Sequence, residues 1–316
     1  MDGDDATERT VSSPTAVALA RDQPHHVLAV PASDQQLWEV SARFVADGLA
    51  AGEQVAYFDD GTVDCVLERL ADDGVEVDDS LRRGQFQVMS SDQTRAAVMA
   101  PLDELAGLLH GYIQSAVDAG WAGVRMTGQS SHGLRRPGGP VFDEYDAVLD
   151  KAVCGRPARV LCLYDEARFP ADLVAHMRQI HAFEAAAPSL YDDVLLRITA
   201  TGPQGVRLAG EIDQSNSLAL RRLLGTLLDR ALRSHSAPAT ITVDLASLRF
   251  VDVAGAVSLV HAAEEFPSTH RLVLDRVRPA VARVLDRCGA PFAPQLDLRP
   301  RPDTGGPTCL VPFGQD

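Results

Sequence analysis

From His26 to His181 the chain alternates short apolar runs with amphipathic stretches of about ten residues or more. That alternation limits the fold more than any other feature. The apolar runs are Val27 to Val30, Gln54 to Phe58, Phe86 to Met89, Gly123 to Thr127 and Arg159 to Tyr164. The intervening stretches are Gln36 to Ala50, Asp64 to Asp72, Pro101 to Ala119, Val141 to Ala152 and Pro170 to His181. In the first of these, Leu37, Val40, Phe44, Val45 and Leu49 share one helical face, and Gly52 provides the stop. A strand followed by a full helix returns to the same end of a sheet. The expected class is therefore α/β, a mostly parallel sheet with helices on both faces.

The 316 residues suggest two domains. Residues 1–20 are polar and mixed and are expected to be disordered. A first domain is expected over 21–184, and Ala185-Ala186-Ala187-Pro188-Ser189 reads as a linker. A second, smaller α/β domain is expected over 190–300, followed by a Pro- and Gly-containing flexible tail at 301–316. Its strands are read at 193–199, 205–209, 239–245 and 271–275, and its helices at 217–233, 254–264 and 279–287.

Charge separates the two halves. Residues 1–190 hold 30 acidic and 15 basic side chains, whereas 191–316 hold 14 of each. An acidic body repels a phosphate backbone, so nucleic acid is not an expected partner. No run of eighteen uncharged apolar residues exists, and the start is acidic, so neither a membrane span nor a secretory signal is expected. The chain reads as cytoplasmic. The five cysteines form no C-x-x-C pair, and the histidines share no ligand spacing beyond His176 with His181. No metal and no cofactor is expected. There is no G-x-S-x-G and no H-E-x-x-H, so no catalytic residues are assigned and the chain is read as no enzyme.

Two segments dominate the second half. The strand Ile241 to Leu245 leads through a loop to Asp252-Val253-Ala254-Gly255, before an apolar helix. The Asp252 carboxylate is suited to cap that helix by accepting from its free first-turn N–H groups. Gly210-Glu211-Ile212-Asp213 likewise stands between a strand and a helix. Together these segments resemble the STAS domain of anti-sigma-factor antagonists. The resemblance implies that Asp213, Asp252, Val253, Ala254 and Gly255 lie close together and meet a partner, an anti-sigma factor of histidine-kinase-like fold. In relatives a phosphorylatable Ser follows the loop Asp. Here that position is Val253, with Ala254 next, so the acceptor is lost. Regulation would then move to the first domain, or the domain would serve only self-association in a homo-oligomer or larger assembly.

The first half has a helix–Gly–strand grammar over Phe44 to Tyr57 that resembles RecA-like ATPases. The place of their phosphate loop, Val30 to Trp38, holds no Gly and no Lys but holds Asp34, which argues against ATP hydrolysis. The stretch from His26 to Phe183 resembles the MEDS domain, a bacterial sensory module. The matching segments are His26, Gly48-Leu49-Ala50-Ala51-Gly52-Glu53, Gly84-Gln85-Phe86, Gly120-Trp121-Ala122-Gly123-Val124-Arg125, and Cys162-Leu163-Tyr164-Asp165 with Arg168-Phe169-Pro170. Where the family commonly shows Gly-Glu-Met-Ser-Trp, this chain has Gly128-Gln129-Ser130-Ser131-His132, so its pocket is altered. Ligands of open parallel sheets bind at the carboxyl ends of the strands. His26, Tyr57, Gln129, His132, Tyr164 and Asp165 are accordingly the expected ligand-binding residues for an unknown small molecule. The whole reads as a non-catalytic signalling regulator of transcription. The alternative is a nucleotide-binding but non-hydrolysing RecA-like scaffold.

Overall fold

The computed structural model describes residues 24–58, 63–129, 131–135, 142–186, 188–233 and 239–301. The expected disordered start, the flexible tail beyond residue 301, Ser130 and the linker residue Ala187 lie outside them.

The first half runs β1 (His26–Ala29), α1 (Asp34–Ala50), β2 (Gln54–Phe58), α2 (Val63–Asp72), α3 (Asp78–Arg82), β3 (Phe86–Met89), α4 (Ser91–Val98), α5 (Leu102–Asp118), β4 (Val124–Gln129), a 3-10 turn (Ser131–Arg135), α6 (Phe142–Val153), β5 (Ala158–Leu163) and α7 (Ala171–Ile180). The five strands are all parallel, in the order β1-β5-β4-β2-β3. Alternation along β2 shows why both faces are covered. Val55 and Tyr57 pack on Leu37, Trp38, Val66 and Leu70 of α1 and α2. Ala56 and Phe58 pack on Ile113 and Leu149 of α5 and α6. Each large aliphatic side chain buried this way contributes roughly 1.5–3 kcal/mol.

The helix–Gly–strand grammar has a physical cause. Gly52 adopts φ 73°, the left-handed conformation that ends α1. Gly48 lies against Arg125 Cδ and Val55 Cγ2, where a Cβ would collide with both. That clearance lets Arg125 cross to Glu53, which also accepts from Arg159 at 2.6 Å. Two of the matching segments thus meet in one buried ion cluster.

The second half runs β6 (Tyr191–Asp192), β7 (Leu196–Gly202), β8 (Gly205–Ile212), α8 (Ser217–Arg233), β9 (Thr240–Asp244), β10 (Leu248–Val251), α9 (Val253–Glu264), β11 (Arg271–Val277), α10 (Pro279–Arg287) and β12 (Leu296–Pro300). Its sheet is mixed, in the order β12-β11-β9-β8-β7-β6, with β10 parallel to β8. Helices α8, α9 and α10 pack on it through Leu220, Leu224, Leu259, Val281 and Leu285. The α/β class and the order of the two units are as the sequence implied. The sequence pattern does not show α3, α4, β6 or β10. The last falls in the loop expected before Asp252, yet Val251 pairs with Ile212 as a short strand.

After α7 the chain turns back along β1. Leu28 N donates to Phe183 O at 2.9 Å, and Ala185 N donates to Leu28 O at 2.7 Å.

The two sheets meet across a junction of unlike charge. Its acidic side is Asp34 and Glu39 of α1 with Glu68 and Asp72 of α2 and Asp73 beyond it. The basic groups that reach across to it come from the second half, while Arg69 of α2 also pairs with Asp34 from the same side. Arg197 reaches Glu39 at 2.7 Å, Arg249 reaches Asp34 at 3.3 Å, and Arg278 reaches Glu68 at 3.7 Å. Arg278 and Arg301 both pair with Asp72, and Arg207 pairs with Asp73. Ser247 Oγ donates to the Asp72 carbonyl at 3.0 Å. Part of the acidity of the first half is therefore met within the chain.

Candidate functional site

A cavity of about 540 Å³ opens between the start of β1, helix α6 and the end of α7. His25, His26, Asp146, Asp150, His181 and Phe183 are among its lining residues. His26 enters because it is the first residue of β1. Asp146 and Asp150 are one helical turn apart on α6, so both look toward the same strand edge. His181 is placed by the end of α7.

Four side chains converge here, His26, Asp146 and His181 from the cavity lining and Cys162 behind them. His26 Nε2 lies 3.2 Å from Cys162 Sγ and 3.4 Å from Asp146 Oδ1. His181 Nε2 lies 3.2 Å from the same Asp146 oxygen, and Cys162 Sγ lies 3.9 Å from it. The imidazoles of His26 and His181 are 4.6 Å apart, and Tyr164 packs edge-on to His181. Burial alone would push the Asp146 carboxyl up, but the two histidines outweigh it and hold it down to about 2. Burial pushes the Cys162 thiol well above its ordinary value, and the Asp146 carboxylate adds to the effect. Burial opposes protonation of His181, yet Asp146 raises its affinity for a proton above the usual. The cluster is thus a polar, partly screened pocket wall with both donor and acceptor atoms.

The six expected ligand residues do not gather. His26 lines the cavity. Tyr164 touches His181 from a core formed with Phe142 and Phe169. Tyr57 is fully buried on the α1–α2 side, stacked on Trp38 at 5.6 Å. Gln129 is buried at the end of β4, and His132 pairs with Ser91 at 3.3 Å. Asp165 accepts from Ala167 N at 2.9 Å and shapes the turn before α7. Asp146, Asp150, Cys162 and His181 were not singled out as ligand residues by the sequence reading. The signal lay in the strand order, because β1 beside β5 sets Leu28 opposite Cys162 and so brings His26 to its flank. His176 stands apart from the cluster, paired with Asp143 at 2.7 Å.

The second site lies where β8 and β10 end side by side. Asp252 N donates to Ile212 O at 3.0 Å, which sets the Asp213 and Asp252 loops next to each other. Asp252 accepts from Gly255 N at 2.7 Å and is the N-cap of α9. Asp213 accepts from Ser215 N at 2.8 Å. Asn216, fully buried and not singled out from the sequence, clamps this loop by accepting from Asp213 N at 3.0 Å and donating to Glu211 O at 3.1 Å. Gly255 is buried where a Cβ would press into Ile212 and Val251. Val253 is 67% exposed, beside Ala254, which is also exposed, and Phe250 is 49% exposed. The end therefore presents apolar groups between two ordered carboxylates.

These two units correspond to known families. A family model described as MEDS, the methanogen/methylotroph, DcmR sensory domain, matches residues 25–182. A second, described as Mlab, STAS domain, matches residues 198–290. The chain belongs to the MEDS family and carries a STAS domain after its MEDS domain. Among solved structures, the flagellar accessory protein FlaH from Methanocaldococcus jannaschii is similar at 9% identity, over 59% of this chain and 78% of its own, with a TM-score of 0.40. No curated protein sequence matches. These domain families are regulatory, which makes this a signalling or regulatory protein. No helix among the described residues is long and apolar enough to cross a membrane.

Proposed function

We propose that the chain is a non-catalytic transcriptional regulator with a sensory domain over 21–184 and an antagonist domain over 190–300. The first takes a small molecule in the cavity beside His26 and His181. The second meets a histidine-kinase-like anti-sigma factor through Asp213, Asp252, Val253, Ala254 and Gly255. Val253 carries no hydroxyl, so phosphorylation there does not switch the contact, and occupancy of the sensory cavity takes over that role.

The observation that carries this reading is the double duty of β10. Its Arg249 is paired with Asp34 at the start of α1. Three residues later Asp252 caps α9 at the partner end. On this reading a shift of α1 would reach the exposed loop along one short strand.

The test is affinity capture of the full chain from its native host, followed by titration of the anti-sigma factor recovered. Val253→Arg abolishes binding by placing a charge in the apolar face. Arg249→Ala changes the affinity severalfold while leaving the surface residues intact. Capture without any histidine-kinase-like partner overturns the partner assignment, and equal affinities for the intact chain and Arg249→Ala overturn the coupling.

A further inference from the structure

The cluster at the cavity wall has a geometry that sensing of an organic ligand does not require. His26 Nε2, His181 Nε2, Asp146 and Cys162 Sγ each offer one ligand atom, and the four atoms lie within 4.8 Å of one another. Tetrahedral zinc with bonds of about 2.0–2.3 Å to N, O and S sets its ligand atoms about 3.4–3.6 Å apart. The separations here are 3.2, 3.4, 3.2 and 3.9 Å. An ion would need little movement of any side chain.

The outer contacts orient both histidines for the same purpose. His181 Nδ1 stands 3.0 Å from the Met177 carbonyl. A carbonyl only accepts, so Nδ1 carries a proton there, and Nε2 is the nitrogen left to serve a metal once any proton it shares with Asp146 is released. That Nε2 is buried and points at Asp146 Oδ1 from 3.2 Å, so it already faces the centre of the cluster. His26 Nδ1 faces Asp150 at 3.5 Å, while its Nε2 faces the cluster. Ligating histidines commonly hold their second nitrogen to a carbonyl or carboxylate in this manner.

We propose that His26, Asp146, Cys162 and His181 bind one divalent transition-metal ion, zinc first, at the wall of the cavity. Two imidazoles, a thiolate and a carboxylate suit zinc and not magnesium or calcium, which take oxygen ligands. Two neutral rings with two anions balance a double positive charge. Binding releases to solvent the Cys162 proton as the sulfur–metal bond forms, and with it any proton His181 shares with Asp146 as Nε2 takes the metal. His26, Asp146 and His181 line the cavity, which supplies the entry path. The site stands on these four side chains whether or not the cavity also takes an organic ligand.

The full chain, stripped with chelator, is to be titrated with zinc against a chromophoric competitor, with metal content read by mass spectrometry. One ion per chain is expected. Cobalt(II) in its place gives tetrahedral visible bands and a sulfur-to-cobalt charge-transfer band. Cys162→Ser keeps the fold by circular dichroism, loses the charge-transfer band and binds more than about tenfold more weakly. His181→Gln weakens binding equally and retains that band at saturating cobalt. Asp150→Asn, acting only through His26, lowers affinity by about 10–100-fold. His25→Gln, on the same cavity but outside the set, binds as the unsubstituted chain does. A stripped chain that takes up no zinc overturns the proposal, as does full affinity in Cys162→Ser. Loss of zinc binding leaves capture of the anti-sigma factor to be read separately.

Discussion

Arg197 on β7 donates to Glu39 on α1 at 2.7 Å, joining the strand order of one sheet to the helix layer of the other. The guanidinium is only 3% exposed and also pairs with Asp192. Around it, in the ion pairs named above that cross the junction among the described residues, the basic group belongs to the second half and the acidic group to the first. The arrangement makes the orientation of the STAS domain a matter of charge registry. Mispositioning it would leave buried ions without partners.

The strongest test of that registry is Asp73, which pairs with the buried Arg207. Asp73→Ala removes the counter-charge and leaves the cation buried, a loss of about 3 kcal/mol. Urea unfolding of the full chain measures it. The double variant Asp73→Leu with Arg207→Met costs less than the two single changes together, because neither side then holds an unpaired ion. Additive losses in the cycle would mean that the pair contributes nothing specific.

At the partner end, Gly255 admits no side chain. A methyl there meets Ile212, and Val251 Cγ2 at 3.1 Å, so Gly255→Ala forces the start of α9 away from β8 and β10. Overpacking of this kind costs about 1–3 kcal/mol. A lowered Tm is expected, along with weaker capture of the anti-sigma factor.

Asp252→Ala removes the side-chain cap on α9 while leaving the surface otherwise unchanged. The cost is about 1 kcal/mol. Val253→Ser, by contrast, restores a hydroxyl at an exposed position without restoring regulation unless a cognate kinase docks. Labelled phosphate with kinase-type anti-sigma factors decides it. Incorporation by the unsubstituted protein, at Ser215 or Ser258 for example, would refute the loss of an acceptor.

Asp165 gives a pH dependence of known sign. Burial pushes its carboxyl above 3.8, against the Ala167 amide and Arg168, which pull it down. The folded state therefore holds this proton at pH values where the unfolded chain has released it. Stability falls as pH rises from about 4 through the raised value, then levels. Asp165→Asn keeps an acceptor for Ala167 N and flattens that segment of the curve. Thermal unfolding of both proteins from pH 4 upward compares them, and an unchanged slope would show that Asp165 is not its source.

The first sheet was legible because each of its strands is apolar and each is followed by a helix with a single apolar face. Short polar helices such as α4 were not, since Ser91 to Val98 has too few apolar positions to show a period. β10 escaped for a different reason. It follows β9 after only Leu245, Ala246 and Ser247, with no Gly or Pro to mark a turn, and its partner is β8. The Asp252 cap could be read from local spacing alone. The histidine–cysteine cluster could not, because its members come from β1, α6, β5 and the end of α7. Their meeting depends on which strands are neighbours, and linear spacing does not encode that.

The return of the chain along β1 has a practical meaning. Phe183 and Ala185 occupy hydrogen-bonding groups of Leu28 that would otherwise face outward from the last strand of the sheet. An unpaired border of that kind is a template for aggregation between molecules. A fragment trimmed at residue 182, where the family match ends, would bare it. The few residues joining the two domains thus serve as a seam, sewing shut the side on which the sensory unit would otherwise adhere to its own copies.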